Sequence, residues 1–309
     1  MAEGLQRVVS RTFRSLGLIA PLVLVLLHQT SSTSVASAQE TLPSQNHLLA
    51  IGNCPPWKAQ SVEVCKNSLE KVMKSLAPRL DSGPGNQHFL VNEGASAAAL
   101  KLKATELANK LEPQDRLIIY ANLPLGLSES AEADDANGYV LELWAEQKPE
   151  TTSQAISDGT FMSASALAAL IHTIPAGEVI LILDTNNPHA IGIDLLANHK
   201  VDHKDRPEAL VISSGPGQAA NYSADRTISL FAKHLSIALE GTDGSLLDVM
   251  TAAVGGTRQA AIPICADLKG TLAEGDTQRS DCAQVPEIHD PDALLDKTML
   301  LPLVESGLN

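Results

Sequence analysis

The chain is poor in aromatic side chains: two Trp, three Tyr and four Phe amount to 3% of 309 residues, so its core has to be filled mainly by Leu, Ile, Val and Ala. Basic charge is also short, with 22 Lys and Arg against 36 Asp and Glu and a formal net charge of −14. A domain this acidic does not hold nucleic acid or anionic lipid by electrostatics. The apolar run from Leu16 to Leu27 is twelve residues long. A helix that crosses a bilayer core of roughly 30 Å needs about 20.

What surrounds that run gives it another meaning. Arg7, Arg11 and Arg14 precede it, and Ser and Thr residues followed by Ala36-Ser37-Ala38 come after it. This is the layout of a secretory signal peptide with a small-x-small cleavage site before Gln39. The rival reading is an uncleaved anchor. Removing residues 1 to 38 takes away three Arg and one Glu, a net +2, and moves the formal charge from −14 to −16. No stable membrane anchor is expected once the signal is cleaved, and the mature chain is expected in the periplasm or outside the cell.

There are four cysteines, Cys54, Cys65, Cys265 and Cys282, all in the exported part. An even number in an oxidising compartment implies two disulfides, although sequence alone allows three connectivities. Nearness in sequence favours Cys54 with Cys65 and Cys265 with Cys282.

Two segments carry most of the information. Glu178-Val-Ile-Leu-Ile-Leu-Asp184-Thr-Asn186-Asn187 is a continuous aliphatic run, the mark of a strand buried on both faces, that ends abruptly in an acid and polar residues. Asp115-Arg-Leu-Ile-Ile-Tyr120-Ala-Asn122-Leu123-Pro-Leu-Gly126 stops in the same manner. In open α/β sheets the carboxyl ends of strands are where sites are built.

These two segments resemble the catalytic strands of the caspase-like peptidase family, which includes caspases, metacaspases and bacterial relatives. In that family one strand ends in Tyr-Ala-Gly-His-Gly and supplies the base, and the other ends in Asp-x-Cys-x-Ser-Gly and supplies the nucleophile. The resemblance extends in order over roughly residues 45 to 268. It takes in His47 to Gly52, Phe89 to Asn92 with a helix from Ala95 to Leu111 capped near Ser96, and the extended Gly138 to Trp144. Beyond these lie Met162 to His172, Ala209 to Gly217, the helix from Ser229 to Glu240, and Gln259 to Pro263 as the closing element. It implies a caspase-like three-layer α/β sandwich, a mainly parallel sheet flanked by helices, over residues 39 to 268, with a disulfide-tied tail from 269 to 309.

The same resemblance argues against activity. Leu123 stands at the position of the base and Asn186 at that of the nucleophile. Leucine moves no protons, and a carboxamide is no substitute for a thiolate. Asp184 stands where metacaspases carry an acid that helps to bind a basic side chain of the substrate. The plainer reading is an Asp at a strand end that accepts hydrogen bonds in the following turn. Asn122, Asn187 and Ser213 complete the expected ligand-binding set.

Five other groupings in the sequence point less strongly to a site. Cys54, with His189 as a base, is a candidate relocated nucleophile, but a disulfide to Cys65 disarms it. His199-Lys-Val-Asp202-His203 is similar to a His-x-x-Glu-His zinc motif, with Asp in place of Glu and charged neighbours typical of a solvated loop. Ser213-Ser214-Gly215-Pro216-Gly217 lacks the Lys of a phosphate loop. Ser128 to Asn137 is an acidic surface loop, and Met299 to Val304 is an apolar stretch that either packs on the domain or meets a partner.

The expectation is therefore an exported, catalytically degenerate domain, leaning away from enzyme, with no cofactor and no metal. Its partner is a peptide or protein, not nucleic acid. The alternatives are a hydrolase using Cys54 or a metal, and a structural subunit of an envelope assembly.

Overall fold

The computed structural model describes residues 45–57, 63–127, 139–185, 206–215, 218–270 and 282–303. All of them fall in one compact unit, Thr41–Asn309. The expected signal segment, Asn186, Asn187, His189, His199, His203 and the acidic stretch after Leu127 lie outside the described residues.

Among the described residues nine strands form two sheets. The larger contains β1 (Asn46–Gly52), β2 (Gln87–Val91), β3 (Arg116–Asn122), β7 (Glu178–Leu183), β8 (Glu208–Ile212) and β9 (Glu287–His289). Their order is β2-β1-β3-β7-β8-β9, parallel except for β9, which runs antiparallel to β8. The smaller sheet is an antiparallel set of β4 (Leu125–Leu127), β5 (Tyr139–Glu142) and β6 (Phe161–Ser163).

Side chains alternate along each central strand, so the aliphatic runs feed two cores at once. Leu117, Ile119 and Ala121 of β3, with Val179, Leu181 and Leu183 of β7, pack against α2 (Ala97–Lys110) and α4 (Ala164–His172). On the other face Ile118, Tyr120, Ile180 and Ile182 meet α1 (Glu63–Arg79), α5 (Leu230–Gly241) and α6 (Leu246–Gly270). The fold is thus an α/β three-layer sandwich with a mainly parallel sheet. Short α3 (Thr152–Ser157) precedes β6.

Serines start the helices where the sequence places them. Ser96 accepts from the Ala99 amide at 3.2 Å and caps α2, and Ser229 accepts from the Ala232 amide at 3.0 Å and caps α5. Gln259 to Pro263 does not close the domain as a separate element. It lies inside the 25-residue α6, which continues past Pro263.

The tail is part of the sheet architecture. β9 pairs through Leu210↔His289, Val211↔Ile288 and Ile212↔Glu287. Leu294 and Leu295 of α7 (Leu294–Lys297) are buried in the core beneath α1, α5 and α6. Arg79, at the end of α1, then secures the tail. Its Nε donates to the Leu301 carbonyl at 2.6 Å, its Nη2 to Thr242 at 2.9 Å and its Nη1 to Leu239, while the Leu301 amide donates to the Arg79 carbonyl at 2.7 Å.

On β1 and β2, the rings of His47 and His88 stack with centroids 6.4 Å apart and planes 4° from parallel. Both residues are buried, and His47 Nε2 is 3.8 Å from Asp115.

Candidate functional site

The chain runs from β1 outward to β2 and returns to β3 on the other side of β1, which creates a topological switch point between β1 and β3. Such a point opens a crevice at the carboxyl ends of the strands. A cavity of about 280 Å3 occurs there, lined by Cys54, Asn122, Leu123, Asp184, Tyr222 and Ser229 among others. A larger one of about 490 Å3 lies against α6 and the Cys265–Cys282 bridge. Its lining of Ala261, Ile262, Ala283 and Val285 with Arg258 offers no nucleophile or base, so the chemistry at the strand ends outweighs cavity size.

Asp184 is the hub of the crevice. It follows β7 directly, its amide donates to the Ala121 carbonyl at 2.8 Å, and it is 2% exposed. Three side-chain donors converge on Oδ2: the Tyr120 hydroxyl at 2.6 Å, the Asn122 amide at 3.1 Å and the Ser229 hydroxyl. Oδ1 has no hydrogen-bond partner. Burial raises the Asp184 pKa, against the pull of the hydrogen bonds from Ser229, Tyr120 and Asn122, which favour the charged form. Burial, and then the Asp184 charge, push the Tyr120 hydroxyl well above its ordinary value, so it remains a donor. Tyr222 is raised for the same two reasons.

Among the described residues the donors to Asp184 are side chains, and the turn that follows it from Asn186 on lies outside them. Asn122 lies at the crevice and orients Asp184. Ser213 is fully buried behind it, where its hydroxyl accepts from the Thr185 amide at 3.2 Å and donates to the Thr185 carbonyl at 3.3 Å. Ser213 therefore positions the chain after Asp184 and is not part of the crevice lining.

Leu123 is 2% exposed and belongs to the apolar core with Ala95, Leu141 and Leu143. The position that the resemblance assigns to a base is occupied by packing. Pro124 follows it, fixing φ where the family has glycine.

Cys54 and Cys65 form one disulfide and Cys265 and Cys282 the other, with Cα separations of 5.7 and 5.0 Å. Both local pairings expected from sequence are present, and they fit an oxidising environment such as export provides. No described helix is long and apolar enough to cross a membrane. Gly52 lets Leu69 of α1 approach the end of β1 closely, since a Cβ there would stand 2.6 Å from a Leu69 methyl. Among the described residues no three His, Cys, Asp or Glu side chains gather in a way that would hold a metal.

Sequence reasoning missed Tyr120, Ser229 and Tyr222. The signal for Tyr120 was available, because a lone hydroxyl in an otherwise aliphatic, doubly buried strand requires a partner. Ser229 gave none beyond its cap.

No family model and no curated protein matches the chain. Among solved structures, a crystal structure of a Geobacter sulfurreducens protein from a structural genomics programme resembles it with a TM-score of 0.53 at 14% identity, covering 84% of this chain and 100% of the other. That likeness concerns the fold alone. Function has to be argued from the site.

Proposed function

We propose that the chain is an exported domain of the caspase-like type, in the periplasm or outside the cell, that binds a peptide or protein segment in the crevice and does not cut it. One observation carries the reading: Leu123, where the similar family has its base, is buried in the apolar core. The carboxamide Asn186 at the nucleophile position and the bridging of Cys54 to Cys65 support it. Asp184 deepens it. Its carboxylate has one unpartnered oxygen beside the crevice, and a cationic Lys or Arg side chain would favour its charged form.

The test is binding of peptides that centre on Arg, Lys or norleucine, followed by calorimetry and by mass analysis of the peptide afterwards. Arg and Lys peptides are expected to bind intact and norleucine peptides to bind more weakly. Ala220→Trp, which fills the crevice from its wall, is expected to abolish binding without unfolding the domain. Cleaved peptide, or binding indifferent to Ala220→Trp, would overturn the reading.

A further inference from the structure

The wall of the crevice contains a disulfide, and neither half depends on the bond for its place. The Cys54 amide donates to Asn92 Oδ1 at 3.1 Å. The preceding Asn53 is tied by its amide to the Asn122 carbonyl at 3.1 Å and by its side chain to the Glu142 carbonyl at 3.0 Å. Cys65 belongs to α1, which Val64, Leu69 and Val72 bury against the domain and which Ser68 joins to Ser229 through a 3.0 Å hydrogen bond. A bond whose ends are held independently opens without loss of the fold.

The reduced state is favoured locally. The Cys65 amide, in the first turn of the 17-residue α1, donates to Cys54 Sγ at 3.2 Å. Backbone donors at a helix amino end lower a thiol's pKa, and stabilising the reduced form makes a disulfide more oxidising. Both cysteines line the crevice, and Cys54 is the more exposed, at 9% against 3%.

From this geometry we infer that Cys54–Cys65 is a thiol-exchange site for a small thiol, which takes up a mixed disulfide on Cys54 inside the crevice. A thiolate attacks Cys54 Sγ, the protein S–S bond breaks, and its electron pair leaves on Cys65 Sγ, which takes up a proton. A second thiolate then attacks the external sulfur of the mixed disulfide. This releases a small-molecule disulfide and leaves Cys54 as a thiolate held by the Cys65 amide. Two thiols are oxidised for each protein disulfide reduced. The inference deepens the binding reading, because a substituent on Cys54 occupies the space that the peptide needs.

The test uses cysteamine on the full native chain. Samples are quenched by alkylation, each cysteine is mapped by mass spectrometry, and the fold is followed by circular dichroism. Cys54 is expected to carry the adduct while the spectrum is unchanged. In Cys65→Ser the free Cys54 thiol is loaded by exchange with cystamine, the disulfide of cysteamine. Once cystamine is removed the adduct is expected to persist about tenfold longer or more, since Cys65 is not there to attack Cys54 Sγ, expel cysteamine and re-form the protein disulfide. Opening of Cys54–Cys65 only together with loss of the native spectrum, or an adduct on Cys65 in place of Cys54, would overturn the inference. The wild-type measurement decides even if Cys65→Ser does not fold. It requires no peptide, so it fails or succeeds separately from the binding experiment on the oxidised protein.

Discussion

The Tyr120 hydroxyl donates to Asp184 Oδ2 at 2.6 Å, joining the carboxyl ends of the two adjacent strands β3 and β7 beneath the crevice. Both residues are almost wholly buried, so neither group has water to fall back on. Tyr120→Phe removes one donor to a charge-capable acceptor and is expected to cost about 1–3 kcal/mol. Chemical denaturation of the two proteins measures it. An unchanged midpoint would mean that the Tyr120 bond contributes nothing net.

Asp184 gives a pH signature. Its folded pKa is raised above the ordinary 3.8 by burial, so the folded state keeps a proton that the unfolded state has released. At pH below the ordinary value the group contributes no pH dependence. Above it, stability falls as pH rises, until the folded group ionises as well. In Asp184→Asn that component is expected to vanish, and the difference between wild-type and mutant stability curves across this window isolates it. A difference that is flat with pH would refute the assignment.

The histidine pair acts in the opposite direction. Burial, and then the Lys103 and Lys110 charges, lower His88 to about 4 from 6.5, and burial also lowers His47. The unfolded chain therefore binds more protons between these two values, and stability is lost as pH falls from about 6.5 toward 4. His88→Gln is expected to flatten the curve in that interval when thermal unfolding is followed against pH. If the mutant keeps the wild-type slope, His88 is not its source.

The second disulfide is expected to stabilise the domain through its loop. Cys265 and Cys282 are 17 positions apart, and a loop of this size contributes about 3 kcal/mol on the chain-entropy model. The Cys265→Ala/Cys282→Ala double variant should unfold at a correspondingly lower temperature. Equal melting temperatures would contradict this.

Restoring one member of the dyad is not expected to create a peptidase. Leu123→His places an imidazole in an apolar core at a cost of about 1–3 kcal/mol, and Asn186→Cys supplies a thiol while the position the resemblance assigns to its base remains Leu123. Fluorogenic peptides with Arg, Lys or Asp at the cleaved bond test the wild type and both variants. Turnover in wild type that Cys54→Ser abolishes would reinstate the relocated nucleophile.

The layered fold was legible because its carriers are strong local signals. The runs Arg116 to Asn122 and Glu178 to Leu183 read as doubly buried strands and are such. Ser96 and Ser229 read as helix starts and cap α2 and α5. Failures arose where tertiary packing overrode a local rule. Gln259 to Pro263 reads by resemblance as a closing element, yet it lies within α6, since a helix already anchored by Val249, Met250 and Ala253 can lose one backbone bond at Pro263 and go on. At the site, Asp184 was legible as a strand-end acid. The convergence of Tyr120, Asn122 and Ser229 upon it was not, because it joins residues separated by up to 64 positions and depends on strand register rather than local pattern.

The latch between Arg79 and Leu301 joins positions 222 residues apart, and the strand that covers the β8 edge arrives only at Glu287. A chain made only as far as β8 therefore has the five parallel strands β1, β2, β3, β7 and β8 but neither its sheet border nor the clamp on α1. Until the last stretch is delivered, β8 offers open backbone groups and the site for Leu294 and Leu295 is empty. Closure of the sheet and of the clamp on α1 thus waits for residues from Glu287 onward.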